Sequence, residues 1–123
     1  MIVCVNVDGD QVGGGYGRAR SMAIAAVADG AVTDWNVADV RWDVLHDEGP
    51  EGSHHGRIVR FLRDNGVEVV VTGHMGPPMQ NTLAKLGLRV VLGATGDARA
   101  AAVAAAAPDA VYSAAPGGNP TCH

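Results

Sequence analysis

The sequence predicts an α/β domain built on a mixed five-stranded sheet with helices on its faces. Residues 67–72 form a short β-branched run bounded by glycines, which is typical of a strand buried on both faces. Residues 2–7 form a second apolar run, and segments with helical periodicity alternate with the later strands. Such alternation favours parallel strands joined by right-handed crossovers, and these crossovers place helices against the sheet.

The composition predicts one globular domain. The chain has 123 residues, of which 47% are hydrophobic and 18% charged, as expected for a chain that buries a core. Nucleic acid is a poor candidate partner, because the net charge is −4 and no long basic run is present. We expect no membrane span and a cytoplasmic protein, since no apolar stretch is long enough to cross a bilayer and no signal-peptide pattern opens the chain.

The first third of the chain predicts three strands. The strand at residues 2–7 ends at an Asp-Gly-Asp turn, and a glycine-rich loop follows at residues 13–18. Residues 22–28 and 32–42 are predicted to form a hairpin, because the Asp29-Gly30 pair between them suits a tight turn with positive φ angles. The alanines of the first arm would also suit a helix, but the turn favours the strand.

The rest of the chain predicts two helix–strand units and a final helix. Ser53 can cap a helix over residues 54–65, which leads into the central strand at 67–72. A second helix over residues 78–86 precedes a strand at 88–92. An alanine-rich helix over residues 97–107 ends at a proline. Residues 1–107 therefore form the domain, and residues 108–123 are a tail rich in small residues, proline and glycine.

The two cysteines fit a reducing compartment better than a disulfide framework. Cys4 lies in the first strand and Cys122 is the second-last residue, so they are not spaced as a pair that builds a small disulfide-linked fold. A single Cys4–Cys122 disulfide is the alternative. Cys4 is expected to be a small core residue.

The predicted topology brings most histidines to one edge of the sheet. The first, third, fourth and fifth strands run in the same direction, so the loops at residues 13–17, 46–55, 73–77 and 93–97 leave at the same edge, where open α/β sheets bind ligands. Four of the five histidines lie in these loops and are candidate metal ligands: His74, His54, His55 and His46.

The same loops supply the other candidate contacts with a bound group. Backbone N–H groups at the helix starts near Gly76 and His54 would stabilise negative charge. The loop and turn residues expected to contact a cofactor are Gly14, Gly15, Tyr16, Gly17, Arg18, Gly73, Met75 and Gly76. Simpler interpretations stay open: an ordinary glycine-rich turn, surface histidines that are only polar cover, and a Met75 that packs rather than ligates.

The combined pattern resembles the dinitrogenase iron-molybdenum cofactor biosynthesis family, the NifX-like domains also found at the carboxyl end of NifB proteins. The matching pieces are Tyr16-Gly17-Arg18-Ala19, His55-Gly56, residues 67–73, Gly76-Pro77 and residues 86–91. The resemblance implies a three-layer ribonuclease-H-like fold. It also implies a small non-catalytic carrier of an iron-sulfur or iron-molybdenum cofactor precursor, which would meet a cluster donor or acceptor protein.

Two other classes of function remain as alternatives. The first is a hydrolase or transferase acting on a small phosphorylated compound, with His74 as acid or base and the glycine-rich loop around phosphate. The second is a regulatory domain whose loop-bearing edge binds another protein. A bound metal cluster, bound phosphate or a large apolar patch at this edge would distinguish the three.

Overall fold

The fold is a six-stranded mixed sheet with three helices. The computed structural model describes residues 1–16, 19–42, 53–110 and 112, with the backbone alone at residues 53–55. The strands are β1 (Ile2–Asp8), β2 (Gln11–Val12), β3 (Ser21–Ala28), β4 (Ala31–Asp39), β5 (Val69–Val71) and β6 (Arg89–Val91). The helices are α1 (Ser53–Asp64), α2 (Pro77–Lys85) and α3 (Ala98–Ala106). These elements confirm the predicted α/β class.

The strand directions agree with the predicted topology. The main sheet has the order β4-β3-β1-β5-β6. Strands β5 and β6 run parallel to β1, whereas β3 is antiparallel to both β1 and β4. Strands β1, β4, β5 and β6 therefore run in the same direction, and the loops that follow them leave at one edge of the sheet. We call this the carboxyl edge.

Strand β2 is an addition that the sequence did not predict. It pairs antiparallel with the end of β1 through Val7 and Val12. Hydrogen bonds also connect this segment to the start of α3. The Val12 N–H donates to the Gly96 carbonyl at 2.9 Å, and the Ala98 N–H donates to the Asp10 carbonyl at 2.9 Å. A two-residue strand between glycines has no periodicity to detect.

The β3–β4 hairpin confirms the strand interpretation of the alanine-rich arm. Asp29 and Gly30 have φ angles of 52° and 78°, as a type I′ turn requires. Val37 on β4 is 56% exposed. Trp42, predicted at the end of this arm, lies beyond β4 and is buried, with its ring 5.4 Å from Tyr16 and 5.6 Å from Phe61 between centroids.

The core consists of two hydrophobic clusters that use alternate residues of the strands. One cluster contains Cys4, Val70 and Val90 with residues of α1 and α2, among them Ile58 and Leu83. The other contains Val3, Val5, Val69 and Val71 with Ala98, Ala102 and Ala105 of α3. Helices α1 and α2 therefore share one set of strand residues, and α3 packs with the alternate set.

The structure describes one of the two cysteines, Cys4. Its thiol is free and buried in the structure, whereas Cys122, its partner in the alternative disulfide, lies outside the described residues. Burial raises the pKa of the Cys4 thiol to about 12, and a contact with Tyr16 opposes part of this rise. None of the described helices is both long and apolar enough to span a bilayer.

Candidate functional site

Backbone hydrogen bonds join three loops at the carboxyl edge. The Gly73 N–H donates to the Gly13 carbonyl at 3.1 Å, and the Gly93 N–H donates to the Gly73 carbonyl at 3.0 Å. The loops after β1, β5 and β6 are therefore in direct contact, as the predicted topology requires. The fourth predicted loop, residues 46–55, lies outside the described residues except for the start of α1.

The closest contact is a pair of backbone segments that we call the glycine clasp, residues 13–16 together with residues 72–74. The His74 N–H donates to the Gly14 carbonyl at 2.6 Å, and the Tyr16 N–H donates to the His74 carbonyl at 2.9 Å. Gly15 and His74 are thus partners in an isolated parallel bridge. The clasp extends β5 pairing beyond the regular sheet and fixes the backbone on both sides of His74.

The glycines of the clasp differ in how closely other atoms approach them. A Cβ atom on Gly73 would lie 3.1 Å from the carbonyl oxygens of both Gly13 and Gly14, which is too close for backbone atoms that are already hydrogen-bonded. A Cβ atom on Gly14 or Gly15 would meet nothing within 4 Å. Gly73 therefore permits the close approach, whereas Gly14 and Gly15 leave room for another molecule.

A cavity of about 270 Å³ adjoins the clasp. Its lining includes the three glycines, a buried amide and two oppositely charged residues: Asn6, Val7, Asp8, Gly13, Gly14, Gly15, Ala19 and Arg20. The cavity opens to solvent beside exposed backbone, which is the position where open α/β sheets bind ligands.

The clasp has unused N–H groups, although its carbonyls are used. The carbonyls of Gly13 and Gly14 accept backbone N–H groups, and that of Gly15 accepts the Asn6 amide at 3.2 Å. Within the described residues, the N–H groups of Gly14 and Gly15 donate to no protein acceptor. A segment with satisfied carbonyls and unsatisfied N–H groups favours an acceptor-rich, negatively charged ligand.

The helix start after Gly76 does not supply the expected donors. Pro77 and Pro78 occupy the first helical positions and have no N–H group, and the Met79 N–H donates to the Gly76 carbonyl at 3.1 Å. The first turn of α2 therefore offers no free N–H group to an anion, and the contact predicted near Gly76 stays a prediction for the Gly76 N–H itself. The prolines favour initiation of α2 but remove the donors that an anion would use.

Of the four histidines predicted as metal ligands, His74 is the one whose side chain lies in the described part of the chain. It is exposed and belongs to the glycine clasp. No set of three or more His, Cys, Asp or Glu side chains in the described ranges is placed to hold a metal ion. Cys4 is completely buried, and burial raises the pKa of its thiol, so it is a poor candidate for a thiolate ligand. The described part therefore offers an imidazole rather than a complete ligand set.

The remaining predicted residues fall into two groups. Tyr16 and Met75 are 0% and 3% exposed and pack in the first hydrophobic cluster, so only their backbone atoms reach the site. The residues or side chains that lie outside the described part are Gly17, Arg18, His46, His54 and His55. Their roles stay predictions.

Sequence reasoning missed Asn6 and Thr72. Both side chains are polar and buried, with exposed fractions of 2% and 0%. Each interrupts an otherwise apolar strand run near the carboxyl edge, and that interruption was the available signal, since buried polar groups require specific partners.

The fold and the clasp define an α/β domain of the kind that binds ligands at the carboxyl edge of its sheet. The chain belongs to the dinitrogenase iron-molybdenum cofactor family, whose model matches residues 1–108. This family confirms the resemblance inferred from the sequence motifs.

Two solved structures show similar folds. The protein PH0822 is 24% identical, with a TM-score of 0.66 over 85% of this chain and 88% of its own. The apo form of the orange protein from Desulfovibrio gigas is 19% identical, with a TM-score of 0.65 over 85% of this chain and 84% of its own. Comparison with curated proteins gives no match.

Proposed function

We propose that this protein is a non-catalytic carrier of a metal cluster, either an iron-sulfur cluster or an iron-molybdenum-type cofactor precursor. The observation that carries the proposal is the glycine clasp. It combines N–H groups that have no acceptor among the described residues, space beside Gly14 and Gly15 that no described atom fills, and the exposed His74. The family description names a cofactor of this chemical class, and one structural neighbour was solved in an apo form.

The chemistry of the clasp suits such a cargo. Sulfide-bridged clusters are bulky anions whose surface atoms accept hydrogen bonds, so unpaired backbone N–H groups stabilise them. An exposed imidazole can add one metal bond, because neutral imidazole is a good ligand for iron and other transition metals. His54, His55 and His46 are proposed as further ligands, and Gly17 and Arg18 as further contacts, on the strength of their positions in the sequence.

The proposed architecture behind this site is the three-layer, ribonuclease-H-like arrangement. Two observations support it: α1 and α2 share one hydrophobic cluster with the sheet, and α3 shares another through alternate strand residues. A sheet covered on both faces leaves its carboxyl edge as the accessible place for a cargo, and a cluster donor or acceptor protein would approach there.

Anaerobic reconstitution with ferrous iron and sulfide tests the proposed function. The wild-type protein should gain visible charge-transfer absorption and retain iron through gel filtration. His74→Ala should weaken both signals several-fold, because it removes a metal bond. Lys85→Ala, at the end of α2 away from the carboxyl edge, is the matched control and should behave as wild type. Identical spectra for wild type and His74→Ala would reject this assignment.

A second candidate function is binding of a small phosphorylated compound at the same cavity. The observation that favours it is Arg20, which lines the cavity together with the clasp glycines, since guanidinium and backbone N–H groups both bind phosphate. Calorimetric titration with inorganic phosphate, without metal, distinguishes it: micromolar binding would favour this function, and no heat of binding would reject it.

A further inference from the structure

Two buried polar side chains lie directly behind the glycine clasp. The Asn6 amide nitrogen donates to the Thr72 hydroxyl at 3.1 Å and to the Gly15 carbonyl at 3.2 Å. The Thr72 hydroxyl lies 3.2 Å from the Gly14 carbonyl oxygen and 3.4 Å from the His74 carbonyl oxygen, and it donates its single proton to one of them. This pair therefore joins both segments of the clasp from below.

Asn6 also contacts Gly13, the first residue of the clasp. The Gly13 N–H donates to the backbone carbonyl of Asn6 at 2.8 Å. A Cβ atom on Gly13 would lie 2.6 Å from the Asn6 Oδ1 atom, so the amide and this glycine are fitted to each other. Asn6 thus contacts the backbone of Gly13 and Gly15 at the two ends of the loop.

Such contacts matter because a run of glycines has little conformational preference of its own. Each glycine loses more backbone entropy on ordering than any other residue. A ligand that had to order the loop would bind more weakly by that cost, whereas a loop already held by the protein avoids it. Burying two polar side chains is itself unfavourable unless they are hydrogen-bonded, and here most of their bonds go to the clasp.

We propose that Asn6 and Thr72 are a positioning pair that holds the glycine clasp in its binding conformation before cargo arrives, and so sets the affinity of the carboxyl edge for an anionic metal cluster. The effect on cargo rests on the proposed carrier function. The effect on the clasp backbone does not, and it is measurable in the protein without cargo.

The first measurement is amide hydrogen exchange by NMR in cargo-free protein. Thr72→Val keeps the side-chain shape and removes the hydroxyl, so the His74 and Tyr16 amides should exchange about tenfold faster, as the loss of one hydrogen bond implies. Thr72→Ser should restore protection. Thr82→Val is the matched control, since its hydroxyl bonds the Pro78 carbonyl within α2 at 2.9 Å.

The Ile24 amide in the centre of β3 is the internal reference for global stability. Faster exchange at the clasp with an unchanged rate at Ile24 supports positioning. Equal acceleration at the clasp and at Ile24 would mean that the pair only stabilises the fold, and it would overturn the proposal. Unchanged clasp exchange in Thr72→Val would overturn it as well.

The second measurement is iron retention after reconstitution with ferrous iron and sulfide. Asn6→Asp, which keeps the shape but loses the amide donor, and Thr72→Val should each lower retention about tenfold, with recovery in Thr72→Ser. Wild-type retention in variants whose clasp exchanges faster would overturn the link to affinity. A wild-type protein that binds no iron would reject the carrier function, while the exchange data would still decide whether the pair positions the clasp.

Discussion

Gly73 is the residue that allows the two backbone segments of the clasp to approach each other closely. A methyl group there would press on the Gly13 and Gly14 carbonyl oxygens at 3.1 Å. Gly73→Ala should therefore lower the free energy of unfolding by about 1–3 kcal/mol, because fixed backbone atoms must shift. Urea unfolding followed by circular dichroism measures this change.

Gly14→Ala is the matched control for Gly73→Ala. Its methyl group meets nothing within 4 Å, so the free energy of unfolding should change by less than about 0.5 kcal/mol. The methyl group would nevertheless occupy space beside the cavity, so iron retention should fall. Equal stability losses in the two variants would contradict the close packing at Gly73.

Tyr16 offers a second test at single-residue resolution. Its ring is fully buried, and its hydroxyl has no hydrogen-bond partner that satisfies distance and angle in the described part of the chain. Tyr16→Phe should therefore be neutral or stabilise the fold by up to about 1 kcal/mol, because an unpaired buried hydroxyl is unfavourable. A loss of more than about 1 kcal/mol in thermal or urea unfolding would contradict an unpaired Tyr16 hydroxyl.

At the scale of elements, local signals predicted most of the fold. The Asp29-Gly30 turn identified the hairpin because its positive φ angles demand such residues, and the β-branched run identified β5. The sequence could not predict features that depend on tertiary contacts. Strand β2 is one of them, because it is formed by pairing with β1 and by hydrogen bonds to the start of α3. The contact between Asn6 and Thr72 is another. These residues are far apart in sequence, and the fold places the Asn6 amide nitrogen 3.1 Å from the Thr72 hydroxyl.

Helix α3 begins at a capping side chain. Asp97 accepts the Ala100 N–H at 2.8 Å through its carboxylate. Asp97→Ala should lower the free energy of unfolding by about 1 kcal/mol, whereas Asp97→Asn should retain most of the stability, because asparagine is an equally good cap. Chemical denaturation of the three proteins measures the difference, and an Asn variant as unstable as the Ala variant would argue against capping.

At the scale of the whole molecule, the packed core and the proposed binding site lie in different parts of the sheet. The two hydrophobic clusters lie along the strands, and the clasp lies where β1 and β5 end. The predicted topology gave the edge at which the loops meet, because that edge follows from strand direction alone, and binding at this edge stays a proposal. The sequence did not predict which N–H groups the proposed site offers. Two prolines remove N–H groups from α2, and the Gly14 and Gly15 N–H groups have no acceptor in the described ranges.

The buried Cys4 and Tyr16 predict how the stability of the whole protein depends on alkaline pH. Desolvation raises the pKa of the Cys4 thiol from an ordinary 9.0 to about 12, and burial raises the pKa of the Tyr16 hydroxyl in the same direction. Between pH 9 and 12 the unfolded chain loses the thiol proton while the folded protein keeps it, so unfolding is favoured as the pH rises. Cys4 should contribute up to about 1.4 kcal/mol of lost stability per pH unit in this window.

Urea unfolding at pH 8 and pH 10.5 tests this dependence, with Cys4→Ala as the informative variant. The variant should be less stable than wild type at pH 8, because it loses buried side-chain volume. It should also lose less stability between the two pH values, because one of the groups that titrate on unfolding is absent. Since the comparison is between slopes, the packing loss does not affect it. Parallel slopes for the two proteins would contradict a Cys4 thiol that stays protonated in the fold, and the reason for excluding it as a metal ligand would then fail.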